Sequence, residues 1–235
     1  MKDGECINWA ELPYELTSSI LRRLSSIDIL ENAQRVCTSW RHVCKDPEMW
    51  RKIDMRNLVD VGLNLEIMCR HAVDRSQSSN LRSLRLVMCP LITNDGLAKA
   101  LAKLPLLEEL EFSYCPLSVE SLRLLGRSCS NLKTLKLNRL RLMRFPDDSD
   151  DDALAIAETM PKLSHLQLFA NNLTDAGLNV ILDNCPNLEH LDLRECRNVK
   201  FSGDLRKRCS ERIKVLREPF GCIMLTHVLE LLYDM

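Results

Sequence analysis

Between Leu16 and Cys44 apolar residues return every three or four positions. They fall as Leu16, Ile20, Leu21 and Leu24, then Ile27, Leu30 and Ala33, then Val36, Cys37, Trp40, Val43 and Cys44. This is the rhythm of helices with one apolar face, and it predicts three short ones. Pro13 suits a first helical turn, and Asp28 stands in the cap region of the second apolar cluster. Pro47 is expected to stop the third helix, because its ring cannot continue the hydrogen-bond ladder. Three helices in about 45 residues make a marginal unit that needs a partner, either the rest of the chain or another protein.

Beyond residue 50 the pattern changes and repeats. The triplet Leu-x-x-Leu-x-Leu occurs as Leu81, Leu84, Leu86; Leu107, Leu110, Phe112; Leu132, Leu135, Leu137; Leu163, Leu166, Leu168; and Leu188, Leu191, Leu193. Worn copies flank the series, with Trp50, Ile53, Met55 before it and Ile213, Leu216 after it, as expected of end units that meet solvent. Eight residues after each opening leucine stands Cys89, Cys115, Leu140, Asn171 or Cys196, where a Cys or Asn can hydrogen-bond neighbouring backbone. The phrases Ile92–Leu97, Leu117–Leu122 and Leu173–Leu178 each carry a Ser or Thr near the start of an apolar-periodic run, as a helix N-terminus does. Each unit therefore predicts one strand, a turn and one helix. Stacking them predicts an α/β solenoid with parallel strands on the concave side and helices outside.

Composition narrows the function classes. Hydrophobic residues are 46% and charged residues 28% of 235, the mix of a globular protein with a real core. Lys and Arg total 32 against 33 Asp and Glu, so bulk binding to nucleic acid is not expected. The longest weakly charged apolar stretch, Phe220 to Leu229, is far short of the roughly 20 residues that span a membrane. The first residues read as no export signal, so the eleven cysteines are expected reduced and the protein intracellular. No two cysteines form a Cys-x-x-Cys pair, and no metal site is expected.

Certain residues at fixed spacing resemble a known family: Leu12-Pro13-x-Glu15-Leu16, Ile20-Leu21-x-x-Leu24, Val36-Cys37-x-x-Trp40-Arg41 and Asp46-Pro47-x-x-Trp50, followed by Cys89-Pro-x-Ile-Thr-Asn-Asp-Gly-Leu97. The chain resembles the plant F-box proteins with cysteine-type leucine-rich repeats. The resemblance implies an F-box domain over 8–55, repeats over 50–218, and a tail or cap over 219–235. It implies a non-catalytic receptor in which the F-box docks on the Skp adaptor of a cullin ubiquitin ligase while the repeats hold a protein substrate. The adaptor contact would be opened by Leu12 and Pro13 and continued by exposed apolar side chains among Leu16, Ile20, Leu24, Ile29, Val36 and Trp40. Work in the nucleus and cytoplasm is the matching expectation. The alternative is a repeat-type scaffold or inhibitor that never engages a ligase. Hormone-sensing relatives use much longer solenoids, so no small-molecule cofactor is expected here.

Alternation along each strand points the residues between the buried leucines out of the sheet. The candidate substrate contacts are Arg82, Arg85, Glu108, Glu111, Tyr114, Lys133, Lys136, Arg139, His165, Phe169, His190 and Asp192. Their sign alternates from strand to strand, which favours recognition by charge complementarity; the bland reading is cross-strand pairing, Glu108 and Glu111 with Lys133 and Lys136. The run Asp147–Asp152, with Glu158, has the spacing of a calcium loop. It lacks the glycine that loop needs at its sixth position, and it reads as an exposed acidic insertion. Cys37 and His42 could be imagined as nucleophile and base, but lie where small core residues are expected.

Overall fold

A computed structural model describes residues 8–56, 64–76, 80–101, 103–139 and 149–220. The chain forms two compact units that divide after Leu132. Unit one opens with helices α1 (Tyr14–Leu21), α2 (Ser26–Glu31) and α3 (Thr38–Val43). It continues through strand β1 (Lys52–Arg56), helix α4 (Leu65–Arg75), strand β2 (Ser83–Val87), helix α5 (Asn94–Leu101), strand β3 (Glu109–Ser113) and helix α6 (Val119–Ser128). Unit two runs β4 (Thr134–Asn138), α7 (Asp151–Thr159), β5 (His165–Gln167), α8 (Asp175–Asn184), β6 (His190–Asp192), α9 (Gly203–Arg212) and β7 (Val215–Arg217). Within each unit successive strands pair in parallel, in chain order.

The three expected helices are present, with local differences. Ser25, not Asp28, caps α2: its hydroxyl accepts from the Asp28 N–H at 3.1 Å and donates to the Asp28 carboxylate at 2.7 Å. The hydroxyl satisfies one N–H of the helix start, and the carboxylate orients that hydroxyl. Helix α3 ends at Val43, before Pro47, which instead opens a 3-10 turn over Pro47–Trp50. Trp50 is fully buried and donates its indole N–H to the Cys44 carbonyl at 2.9 Å. The Arg75 guanidinium lies over its ring, 5.5 Å from the centroid, and also donates to Gln34 at 2.8 Å. The Asp54 N–H donates to the Ser26 hydroxyl at 3.0 Å. The helical head is thus joined to the first repeat by buried side chains and hydrogen bonds.

In the repeats the leucine triplets are the core. Leu81, Leu84, Leu86, Leu107, Leu110, Phe112, Leu163, Leu166, Leu168, Leu188, Leu191 and Leu193 are all buried. The register sets Ile53, Leu84 and Leu110 side by side in unit one, and Leu135, Leu166, Leu191 and Leu216 in unit two. Both worn copies therefore form real strands, β1 and β7.

The residue at the turn after each strand behaves as expected. The Cys89 thiol donates to the Met55 carbonyl at 3.6 Å, Cys115 to Leu86 at 3.4 Å and Cys196 to Leu168, each one repeat back. Asn171 accepts from the Leu173 N–H at 2.9 Å, and Leu140 lies outside the described residues. Just before each of these, Met88, Tyr114, Ala170 and Glu195 hold φ between 55° and 64°. A left-handed corner without glycine, four times at the same repeat position, costs roughly 1–2 kcal/mol each. It is held because the following side chain must turn inward.

A second set of polar groups ties each helix start to the next repeat. Glu66 accepts from the Thr93 N–H at 3.0 Å, Asn94 from the Ser118 N–H at 3.1 Å, Asp150 from the Thr174 N–H at 2.7 Å and hydroxyl at 2.8 Å, and Asp175 from the Lys200 N–H at 2.9 Å. Thr93, Ser118 and Thr174 in turn accept from N–H groups one turn into their own helices, as expected of the Ser and Thr positions. Of the run read as an exposed acidic insertion, residues 147 and 148 lie outside the described residues, while Asp150, Asp151 and Asp152 stand at a helix start. Asp151 begins α7, Asp150 binds Thr174, and Asp152 holds Arg139 at 2.7 Å and Asn171 at 2.9 Å. Acids at a helix start are favoured there by the exposed N–H groups, which local sequence pattern alone does not reveal.

Replacing Asp150→Ala should destabilise the chain by about 1–3 kcal/mol in urea denaturation, because two hydrogen bonds to a charged acceptor are lost. Ala170→Gly should stabilise it, by up to about 1 kcal/mol, through relief of the left-handed corner. The Thr93 N–H and hydroxyl hold Glu66 below its ordinary value. Its contribution is therefore complete above the unfolded carboxylate range and fades as pH falls through the lower, folded value. The stability gap between wild type and Glu66→Gln should accordingly narrow between pH 6 and pH 3.

Candidate functional site

Two surfaces carry the candidate residues. The first is the head. Trp9, Leu16 and Val36 are 57%, 54% and 56% exposed, and Tyr14 and Leu24 are also open to solvent. Pro13 is exposed, while Leu12, Ile20 and Trp40 are half-buried. Trp40 donates its indole N–H to the Trp9 carbonyl at 3.1 Å, so its ring edge is committed to the short turn ahead of α1. The Tyr14 hydroxyl donates to Asp46, whose carboxyl this bond holds below its ordinary range. Ile29 is the exception and a correction: it is buried with Leu30 on the inner face of α2, so it cannot belong to an outward contact. Trp9 and Tyr14 escaped the sequence reading because they precede the helical rhythm, although two large aromatic side chains flanking Leu12 and Pro13 were a visible signal.

The second surface is the sheet face opposite the leucine core. In unit one the register brings Asp54, Arg85 and Glu111 into one row across β1, β2 and β3. Arg85 reaches Glu111 at 3.0 Å and Asp54 at 3.9 Å; Arg56 grips Asp54 at 2.7 Å, and the Ser113 hydroxyl donates to Glu111 at 2.9 Å. Arg82 lies 3.9 Å from Glu108. These charges are closed on one another across adjacent strands, and Glu111 is buried. Tyr114 stands at the left-handed corner beyond β3.

In unit two one row is Thr134, His165, His190 and Val215, and the next is Lys136, Gln167, Asp192 and Arg217. They line a hollow of about 440 Å³. The His165 and His190 rings stack with centroids 4.0 Å apart and 17° between planes. Asp192 is buried and takes Arg194 in a two-pronged bond at 2.8–3.1 Å. Arg139 is held by Asp152, away from a free role. Phe169 is buried, which corrects its placement on the outward face: it sits at the strand exit, where alternation gives way to the turn. Lys133 is exposed. Val215 and Arg217 were missed because the last repeat keeps only part of its leucine triplet, yet the spacing to Leu216 already placed a strand there.

Among the described residues every cysteine but Cys37 is buried. Burial pushes Cys69 and Cys196 up to about 12, and Cys129, Cys185 and Cys209 up to about 11. Cys89 and Cys115 share a hydrogen bond that raises Cys89 and lowers Cys115. Cys37 is committed to capping α3, its sulfur accepting from the Trp40 N–H at 3.4 Å. Among the described residues no group of three or more His, Cys, Asp or Glu could hold a metal ion, and no helix is long and apolar enough to cross a membrane.

Comparison with known proteins agrees with this architecture. A family model described as F-box-like matches residues 9–56, and one described as Leucine Rich repeat matches 77–99 and 159–182. F-box protein SKIP19 of Arabidopsis thaliana is 61% identical, over 93% of this chain and 80% of its own length. Putative F-box/LRR-repeat protein 21 of the same plant is 49% identical, over 90% of this chain and 82% of its own. The tropomodulin C-terminal domain of Caenorhabditis elegans covers 75% of this chain at a TM-score of 0.43 and 15% identity, a likeness too slight to bear on function. The chain belongs to the plant F-box/leucine-rich-repeat proteins, an F-box followed by repeats, a family of adaptors and receptors.

Native labelling with a thiol reagent, read by mass spectrometry, should modify Cys37 well before Cys69, Cys129, Cys185, Cys196 or Cys209. The latter should react only as fast as the chain opens; rapid native labelling of any of them would contradict their burial.

Proposed function

We propose that this protein is the substrate-recognition subunit of a Skp–cullin–F-box ubiquitin ligase, acting in the nucleus and cytoplasm. In this reading the head docks on the Skp adaptor through Leu12, Pro13, Leu16, Ile20, Leu24, Val36 and Trp40, while the outward sheet faces of the repeats hold a protein substrate. The observation that carries it is the head's uncovered apolar surface: although β1 and α4 pack against α2 and Trp50, the side chains of Leu16 and Val36 stay in water. Apolar side chains gathered on one small helical unit and left open are what an interface uses.

The chemistry asked of the chain is proximity. Holding adaptor and substrate together raises the effective concentration of substrate lysines beside a charged ubiquitin carrier. No step needs a nucleophile of its own.

Purified Skp adaptor should be retained by the immobilised full chain. Leu16→Asp combined with Val36→Asp should reduce retention at least tenfold while leaving the thermal unfolding midpoint within about 2 °C, since both side chains are exposed and such changes are usually small in stability. An unmutated chain that retains no adaptor would overturn the ligase reading and leave a ligase-independent binding scaffold.

A further inference from the structure

Both outward faces carry charged side chains. Across β1–β3 cations meet acids on their own or a neighbouring strand: Arg56 with Asp54, Arg85 with Glu111 and Asp54, Arg82 with Glu108. Across β4–β7 charged or ionisable side chains come from every strand. Lys136 comes from β4, and His165 from β5. His190, Asp192 and Arg194 come from β6 or its exit, with Glu189 just ahead of it, and Arg217 comes from β7, with Lys214 just ahead of it. Asp192 is already spanned by Arg194, with Arg217 a further 3.5 Å away, and Glu189 pairs with Lys214 at 2.8 Å. The lining of the hollow itself carries Lys136, Arg217 and two imidazoles against the carboxylate of Asp192.

The stacked imidazoles sharpen the point. Two rings with centroids 4.0 Å apart repel if both are protonated, unless an anion sits against them. An anion in the hollow and protons on His165 and His190 would each favour the other, by linkage.

We propose that the hollow across β4–β7 is the seat of an acidic protein segment, with a carboxylate or phosphate group against the His165–His190 stack and between Lys136 and Arg217. This rests on the reading of the repeats as the substrate-holding face and names the class of substrate. Four strands spaced about 4.8 Å span about 14 Å, the length of four or five residues of extended chain. Recognition there combines a charge-assisted contact with a pH-sensitive one, which separates it from a merely basic surface.

Fluorescence anisotropy on the full chain tests it with three fluorescein-labelled decapeptides, rich in glutamate, in phosphoserine or in glutamine. The glutamate peptide should bind at least tenfold more tightly than the glutamine peptide. It should also bind several-fold more tightly at pH 6.0 than at pH 8.0, a window in which its own carboxylates do not titrate. His165→Gln with His190→Gln should erase that pH dependence, and Lys136→Ala should weaken binding at least fivefold. Lys99→Ala with Lys103→Ala, on and just beyond α5, should change nothing. A phosphoserine peptide that outbinds glutamate assigns the seat to a phosphorylated segment; equal binding assigns it to plain acidic sequence. Equal affinity for glutamate and glutamine peptides, or a pH response unchanged in the double histidine variant, overturns the proposal. The Leu16→Asp and Val36→Asp variant should bind these peptides as wild type does. Adaptor binding without peptide binding therefore defeats this inference alone, and the converse defeats the ligase reading alone.

Discussion

A strand of three to five residues has no stability of its own, and the whole repeat region follows from that limit. β5, β6 and β7 are three residues each, and none could bury a side chain without its neighbour. The parallel register solves this by aligning one leucine position across successive strands, so that each repeat's apolar triplet is covered by the next. A one-residue slip would send the leucines to water and the charged rows inward, so the register is strongly specified. The sequence expresses the constraint as near-constant spacing of the triplets.

Two further devices keep the stack in register, one at each end of the strand. At the exit, a thiol or amide following a left-handed corner satisfies backbone groups, in the cysteine repeats a carbonyl one repeat back. Near the helix start, a carboxylate or amide accepts from the next repeat's N–H groups. Together they explain why Cys, Asp and Asn recur at fixed positions of the repeat. Burial of the sulfurs, which makes most of them weaker acids, is the cost of using thiols as small apolar donors in a core.

Much of this was legible in the chain itself. The triplets, the head's helical rhythm and the inward Cys or Asn are periodic, and periodicity survives without coordinates. What was not legible depended on partners from other repeats. Asp150 and Asp152 read as a solvated run because nothing local says that Thr174, Arg139 and Asn171 face them. Ile29 and Phe169 were misplaced outward, since a three-residue cap shift or a strand exit reverses which side a residue presents. The His165–His190 stack lay in plain view once repeats were aligned, because both follow their opening leucine by two residues; its face-to-face geometry needed the register.

The junction between Trp50, Arg75, Gln34, Ser26 and Asp54 has a mechanical consequence. Because the head shares its core with the first strand and helix of the repeats instead of hanging from a linker, it has no swivel at that end. Anything gripped by the head is presented to the opening repeats at a set angle, like a bracket welded to a rail.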